Sequence, residues 1–253
     1  MSTHLKSAVA QNTNTLYIIH VPQTDSQAMK IGIIGSGNMG RSLGILWAEQ
    51  GHDVFFGARD LEKGKAVAEA GHGTKGGTND EAAIFGDILL YTVRGVNPAE
   101  VFSSTEVLSG KILIDCNNFD IPEGFAFPPI VQSLAEKLAA EVPNALVVKA
   151  FNTMAQEVFE LAPTPLKDYE VSVFVAGDDS QARQVVMSLA KDIGFAPVDC
   201  GALRNARMIE GVGDFIRFLL ISQLQNPYTT ISVNTLPPAQ QQRLGGRQTS
   251  NLH

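Results

Sequence analysis

The sequence is poor in cysteine, tryptophan and histidine, and it holds no long hydrophobic run. Its two cysteines, Cys116 and Cys200, stand far apart with no partner spacing, which excludes a disulfide framework and a cysteine-ligated zinc site. No apolar stretch reaches the roughly 18 residues that a membrane span needs, and the N-terminus lacks the basic segment and apolar core of a secretory leader. Basic residues are in deficit, 19 against 26 acidic, for a net charge of −7, so neither nucleic acid nor a membrane surface is expected as a partner. A reduced, cytoplasmic setting is the expectation. The five histidines, His4, His20, His52, His72 and His253, have no carboxylate at triad-like spacing and read as surface residues rather than general bases. There is no G-x-S-x-G elbow, no H-E-x-x-H and no P-loop lysine motif. Asp178-Asp179 precede a helix start and read as its caps rather than metal ligands. Cys116, with no His or Lys beside it, reads as a spectator thiol. No catalytic side chain and no metal ligand is expected.

What is present is a chain of 253 residues, 44% of them apolar, long enough to bury a core without covalent or metal staples. Residues 1–28 are an extension rich in Ser, Thr, Asn and Gln, expected to be flexible, whose short apolar run Leu16–Val21 could add an edge strand. Met29 is read as an alternative start, with the folded pattern spanning 29–224 and a Pro-, Gln- and Gly-rich flexible tail over 225–253. From Lys30 onward, strand-length apolar runs alternate with segments of helical period. The strands are expected at Ile31–Gly35, Val54–Ala58, Ile88–Val93, Ile112–Asp115, Leu146–Ala150, Val171–Ala176 and Ala196–Asp199. Helices are expected at Met39–Gln50, Leu61–Ala70, Asp80–Phe85, Pro129–Glu141, Met154–Leu161 and Ser180–Ile193, with a C-terminal amphipathic helix at about Ala202–Leu224. Near-continuous apolar strands alternating with helices define an α/β fold: a Rossmann-type, doubly wound, mainly parallel sheet with a C-terminal helix.

The sharpest motif is Gly35-Ser36-Gly37-Asn38-Met39-Gly40, which follows the first expected strand and opens the first helix. Gly35 supplies the tight turn, Gly37 lets backbone approach a pyrophosphate, and Gly40 allows close helix–strand packing. The helix start then offers unpaired N–H groups and a positive dipole end to phosphate. The next strand ends in Ala58-Arg59-Asp60 rather than in an acidic residue suited to ribose hydroxyls. Arg59, helped by Lys63 one turn on, can pair with a 2′-phosphate, while Asp60 is better placed as a helix cap. The expected dinucleotide is therefore NADP(H) rather than NAD. A strong dinucleotide site without acid–base side chains suits direct hydride transfer to a second redox cofactor, in which the protein supplies stacking and orientation.

The glycine motif, Ala58-Arg59, the stretch Val147–Thr153, the stretch Val175–Ser180 and Val186–Leu189 together resemble the NADP oxidoreductase family dependent on the deazaflavin coenzyme F420. At Asp115–Asn118 and Val148–Asn152 the chain is also similar to the cytosolic reductase domain of the six-transmembrane ferric reductases. The resemblance covers about Met29 to Glu210. It implies that Ser36, Gly37, Asn38 and Met39 meet the phosphates, and that Ala58, Arg59 and Lys63 hold the 2′-phosphate. It further implies that Val93, Asn117 and Ala150 lie along the cofactor toward its nicotinamide, with Phe151, Asn152, Thr153 and Met154 bordering an acceptor pocket. Two features depart from the family's pattern: Arg94 at the tip Thr92–Val96, and the insertion Phe119–Pro129 with Phe119, Phe125 and Phe127.

The leading expectation is an NADPH-dependent oxidoreductase that exchanges hydride with a small-molecule acceptor, deazaflavin F420 or a flavin such as FMN or FAD. Two alternatives stand beside it. One is a non-catalytic NADPH sensor or redox-partner module. The other is an imine or hydroxyacid reductase, whose hydroxyacid branch needs a helix-borne lysine; the residues after Asp199 contain no lysine. The apolar stripe Ile209, Val212, Phe215, Ile216, Leu219 and Leu220 is expected to build a homodimer.

Overall fold

A computed structural model describes residues 8–12, 15–19, 28–71, 74–161, 166 and 168–237. Strands β1 (Ala8–Asn12) and β2 (Thr15–Ile19) pair antiparallel with each other, Ala8 opposite Ile19. The apolar run of the extension thus pairs within its own hairpin, not with the edge of the main sheet. The rest of the 1–28 extension and the tail beyond residue 237 lie outside the described residues.

Eight strands form the main sheet: β3 (Lys30–Ile34), β4 (Asp53–Ala58), β5 (Lys75–Thr78), β6 (Ile88–Tyr91), β7 (Ile112–Asp115), β8 (Leu146–Lys149), β9 (Ser172–Gly177) and β10 (Ala196–Asp199). Their order is β10-β9-β8-β7-β6-β3-β4-β5. Strands β3 to β8 are mutually parallel. Strand β9 runs antiparallel to β8, pairing through Val148–Gly177 and Lys149–Ala176, and β10 follows β9 in parallel. The sheet is thus mainly parallel, as expected, with β9 and β10 reversed. A parallel return requires a crossover, usually a helix. The expected helix Met154–Leu161 is only a 3₁₀ turn, Gln156–Glu160, and the chain comes back reversed.

Strand β5 escaped the sequence pattern because Lys75-Gly76-Gly77-Thr78 carries no apolar side chain. Its glycines are a packing requirement: a Cβ on Gly76 would lie 2.2 Å from the carbonyl oxygen of Gly64 in the helix that covers it. The helices are α1 (Asn38–Glu49), α2 (Leu61–Ala70), α3 (Asn79–Phe85), α4 (Pro98–Val101), α5 (Leu134–Glu141), α6 (Ser180–Asp192) and α7 (Ala206–Phe218), the last continued by a π turn over Leu219–Gln223. Helix α5 begins at Leu134 rather than Pro129. Ser133 closes a capping box with Glu136 there, and that double satisfaction of end groups fixes the start.

The core has two layers. On one face Leu43, Trp47, Val186 and Leu189 of α1 and α6 pack on Ile31, Ile33, Phe56 and Val173. On the other Ala82, Ala83, Ala135 and Leu138 of α3 and α5 cover Ile34, Leu89 and Leu113. Helix α7 buries Ile209 and Ile216 in the fold but leaves Met208 66% and Phe215 55% exposed, so the expected stripe divides between the chain's own core and its surface. Residues 231–233 are pinned to the start of β9, where Ser172 N–H donates to the Ile231 carbonyl and Val233 N–H donates to Ser172 Oγ.

His52 is not a surface residue. It is buried; its Nδ1 accepts the Met29 N–H at 3.2 Å and its Nε2 lies 3.3 Å from Asp192 Oδ2. The ring ties the start of β3 to the end of α6, at the end of that strand opposite its tip. Its carboxylate partner lies 140 residues along the chain, beyond the reach of any local spacing rule.

Candidate functional site

Chain order in the sheet reverses between β3 and β6, and open α/β sheets bind ligands outside the strand tips at such a switch point. Two clefts open there. The first, about 510 Å³, is floored by the turn Gly35–Gly37. Gly35 has φ +92°, and a Cβ there would meet Thr92 Oγ1 at 2.7 Å; only glycine fits this turn without strain. Its N–H donates to Asn79 Oδ1 at 3.2 Å, and Thr92 Oγ1 donates to its carbonyl at 2.7 Å. Ser36 is buried with its hydroxyl donating to the Gly57 carbonyl at 2.6 Å. Gly40 lets α1 rest on this turn, because a Cβ there would come within 2.4 Å of the Gly35 oxygen.

Helix α1 then differs from α2, α3, α5 and α6. Those are capped by Asp60, Thr78, Ser133 and Asp179, whereas α1 has Gly37 at its cap, no side-chain cap bond and no acid in its first turn. Its N–H groups and positive dipole end are left to an anionic ligand. Ala58, Arg59 and Lys63 form the flank of the same cleft, with Val93 lining it from the β6 side. Asp60 is committed to capping, its Oδ1 accepting from Glu62 and Lys63 N–H at 2.8 and 3.3 Å. Among the described residues, neither Arg59 nor Lys63 has a carboxylate at ion-pair distance. The acid nearby on α3, Asp80, is held by Ser103 N–H and Oγ.

The second cleft, also about 510 Å³, shares walls with the first. Helix α1 gives Gly37 to one and Met39 to the other; the β6 tip gives Val93 to one and Thr92 with Arg94 to the other. Asn117, Phe151, Asn152 and Met154 line this second cleft. Of the expected site residues, Asn38 is exposed on the first turn of α1. Ala150 and Thr153 are buried, 0% and 2% exposed, and line neither cleft. Ala150 belongs to the core beneath Phe151.

Phe151 holds φ +61°, the left-handed region, a conformation costing a non-glycine residue about 1–3 kcal/mol that persists where packing over-determines it. Trp47 and Phe159 supply that packing, edge-on at 5.7 and 6.4 Å between ring centroids. The bend carries Asn152 toward Asn118. Asn152 Nδ2 donates to Asn118 Oδ1 at 2.9 Å, and Asn118 Nδ2 donates back to the Asn152 carbonyl at 2.7 Å. Asn152 lines this cleft, and its buried Oδ1 has no hydrogen-bond partner among the described residues, an acceptor left without a donor.

Below this wall lies an ionic hub that the sequence reading passed over. Lys149, at 0% exposure, reaches Asp115 Oδ2 at 2.9 Å and Glu210 Oε1 at 2.8 Å, and also donates to the Asn117 carbonyl. Glu210 comes from α7 and also accepts the Leu134 N–H at 3.0 Å, at the start of α5. Burial alone would lower the Lys149 ammonium, but the two carboxylates outweigh it and raise it. Burial pushes the Glu210 carboxyl up, against the pull of Lys149. The hub thereby fixes Asn117, α5 and α7 around the cleft. One signal could have found it: Asp115 and Lys149 are opposite charges ending two apolar strands that pair in register.

Other residues of this wall were also missed. Arg217 donates to the Phe119 and Gly213 carbonyls, pairs with Asp214 and lies over the Phe127 ring at 5.5 Å. The insertion Phe119–Pro129 is thus stapled to α7, with Phe125 stacked edge-on against Phe218. Glu157 lines the cleft as well. The Cys116 thiol, buried beside it, is pushed up to about 12 by burial, with Asp115 adding to the shift, which disfavours the reactive thiolate.

The sheet order and the switch-point clefts define a Rossmann-type α/β protein. The chain belongs to the NADP oxidoreductase family dependent on coenzyme F420, as a relative matched over most of both chains shows, and that family's model matches residues 30–119. The F420-dependent NADP reductase of Methanothermobacter marburgensis is 30% identical over 202 residues, 73% of this chain and 89% of that protein. Human metalloreductase STEAP2 is 33% identical over 193 residues, 74% of this chain. The chain spans about a third of the metalloreductase's length, 36%. Among solved structures, a candidate F420-dependent NADP reductase from Arthrobacter sp. FB24 superposes with a TM-score of 0.71 at 26% identity, covering 82% of this chain and 100% of that one. An imine reductase from Myxococcus stipitatus in complex with NADP+ shares the fold alone, with a TM-score of 0.54 at 16% identity, covering 78% of this chain and 64% of that one. Among the described residues, no helix is long and apolar enough to cross a membrane.

Proposed function

We propose that the chain binds NADP(H) in the first cleft and exchanges hydride with a deazaflavin or flavin in the second. The observation that carries this reading is the pairing of an uncapped helix start with two cations that, among the described residues, lack carboxylate partners, in a cleft that adjoins another. Ser36–Gly40 would hold the pyrophosphate at the start of α1. Arg59 and Lys63 would take the 2′-phosphate, a group absent from NAD. NADPH, when bound, supplies a hydride. The chain's own part is to hold two planar rings at contact distance, about 3–3.5 Å, so that transfer is effectively unimolecular. Met39, Thr92 and Phe151 shape the space between them, and Asn152 Oδ1 offers a bond to a ring N–H. Both family members and metalloreductases are named for reductions, which supports a catalytic over a sensory role.

The test is the loss of NADPH absorbance on adding coenzyme F420, FMN or FAD. Steady turnover with any of these supports the reading. Tight NADPH binding without turnover would replace it with the sensor alternative.

A further inference from the structure

The charged groups that line the second cleft are Arg94, Glu157 and Arg217, and they differ in how they are committed. Arg217 is spoken for, its guanidinium shared among two carbonyls and Asp214. Glu157 sits on the 3₁₀ turn after Met154 and keeps that wall negative. Among the described residues Arg94 has a single partner, Asp120 Oδ1 at 3.1 Å, and the two side chains are 52% and 88% exposed. Water screens so open a pair and keeps it weak, so another anion can displace Asp120 at little cost. The dinucleotide cleft has its own cations in Arg59 and Lys63, and Arg94 lines the other cleft.

We propose that Arg94 is a specificity residue which exchanges Asp120 for the anionic side chain of the acceptor. This rests on the acceptor reading above and deepens it. The second cleft would then recognise its ligand at two points. Asn152 Oδ1, a partnerless acceptor at the buried wall, takes a ring N–H such as that of an imide. Arg94, at the exposed tip of β6, takes a phosphate or carboxylate on the ring's side chain. The acceptor class is therefore a planar imide heterocycle bearing an anionic chain. Its neutral analogue, with the same ring and no phosphate, binds less well.

Riboflavin and FMN share one ring and differ in one phosphate, so their dissociation constants from the full chain, read by flavin fluorescence with the nucleotide product present, isolate the effect. A charge-assisted contact at a partly screened rim gives FMN a preference of about five- to tenfold. The preference should shrink as salt rises, collapse in Arg94→Gln and partly return in Arg94→Lys. Asp120→Asn, which removes the competing carboxylate, should tighten FMN. An FMN-to-riboflavin ratio that is unchanged in Arg94→Gln overturns the proposal while leaving the acceptor reading intact. A loss confined to NADPH binding also overturns it, by assigning Arg94 to the dinucleotide. If FMN discrimination behaves as stated but no flavin or deazaflavin is reduced, the Arg94 assignment stands and the catalytic reading fails.

Discussion

Replacing Lys149 by Met tests the hub beneath the cleft. The ammonium is fully buried and makes three contacts, to Asp115, Glu210 and the Asn117 carbonyl. Methionine fills similar volume but strands two carboxylates that are nearly inaccessible to water. Breaking a buried pair in this way costs about 3–5 kcal/mol. Glu210 keeps the Leu134 and Ala135 N–H groups and Asp115 keeps two bonds from Asn117, which holds the loss inside that range despite two stranded groups. A whole domain has only about 5–15 kcal/mol of stability, so urea unfolding should show a large drop in midpoint. The sign with pH is also fixed. Burial holds the Glu210 carboxyl above its ordinary value against the pull of Lys149; without that pull it rises further, so protonation favours the folded state. The deficit should then be smallest near pH 4 and grow as pH rises toward neutrality. Adding Asp115→Asn and Glu210→Gln should recover part of it. A loss under about 1 kcal/mol at neutral pH, or one that shrinks as pH rises, would refute the assignment of buried charge to this cluster.

Three further outcomes are expected. Arg59→Ala removes a charge-assisted contact of about 1.5–3 kcal/mol, so NADPH affinity should fall about ten- to a hundredfold with NADH affinity little changed; equal losses for both nucleotides in a titration would undo the 2′-phosphate assignment. The Arg207 guanidinium hydrogen-bonded to Glu136 holds that carboxyl at about 2 against an ordinary 4.5, so its stabilisation is complete above pH 4.5 and is lost as pH falls toward 2; Arg207→Ala should lower stability modestly at neutral pH, the pair being solvent-screened, and its difference from the wild type should vanish in unfolding curves as pH falls toward 2. If the exposed part of α7 forms a homodimer, Phe215→Glu should give monomers in light scattering while NADPH binding persists; a wild-type chain monomeric at micromolar concentration ends the idea. That surface substitution is the right probe because α7 also supplies Glu210, and removing the helix would empty the hub.

Much of the architecture was legible because it is written in local pattern. Apolar runs bounded by glycines placed seven of the eight main-sheet strands, and Asp60 announced the start of α2 at its observed residue. The glycine motif located the turn at the switch point for the same reason: its geometry is set by neighbouring residues. What escaped depends on contacts distant in sequence. Lys75–Thr78 is a strand only because α2 lies on its glycines. A short 3₁₀ turn stands where the helix Met154–Leu161 was expected, and β9 runs antiparallel to β8. Lys149 meets Glu210 and His52 meets Asp192 across the fold. Ala150 was placed at the nicotinamide by likeness to a family and lies instead in the core, one residue short of the bend at Phe151.

The edge-on contact between Trp47 and Phe151 has a practical consequence. Trp47 is the chain's single tryptophan, fully buried, with its indole N–H donating to the Leu189 carbonyl. Its other side touches the strained phenylalanine that walls the second cleft. The protein therefore carries its own optical reporter. A ligand that shifts Phe151 alters the packing around one indole and nothing else that emits in that band, so ring occupancy of the cleft can be followed in emission without a label. The same lone indole makes stopped-flow records of ligand binding readable as events at one wall of one cleft.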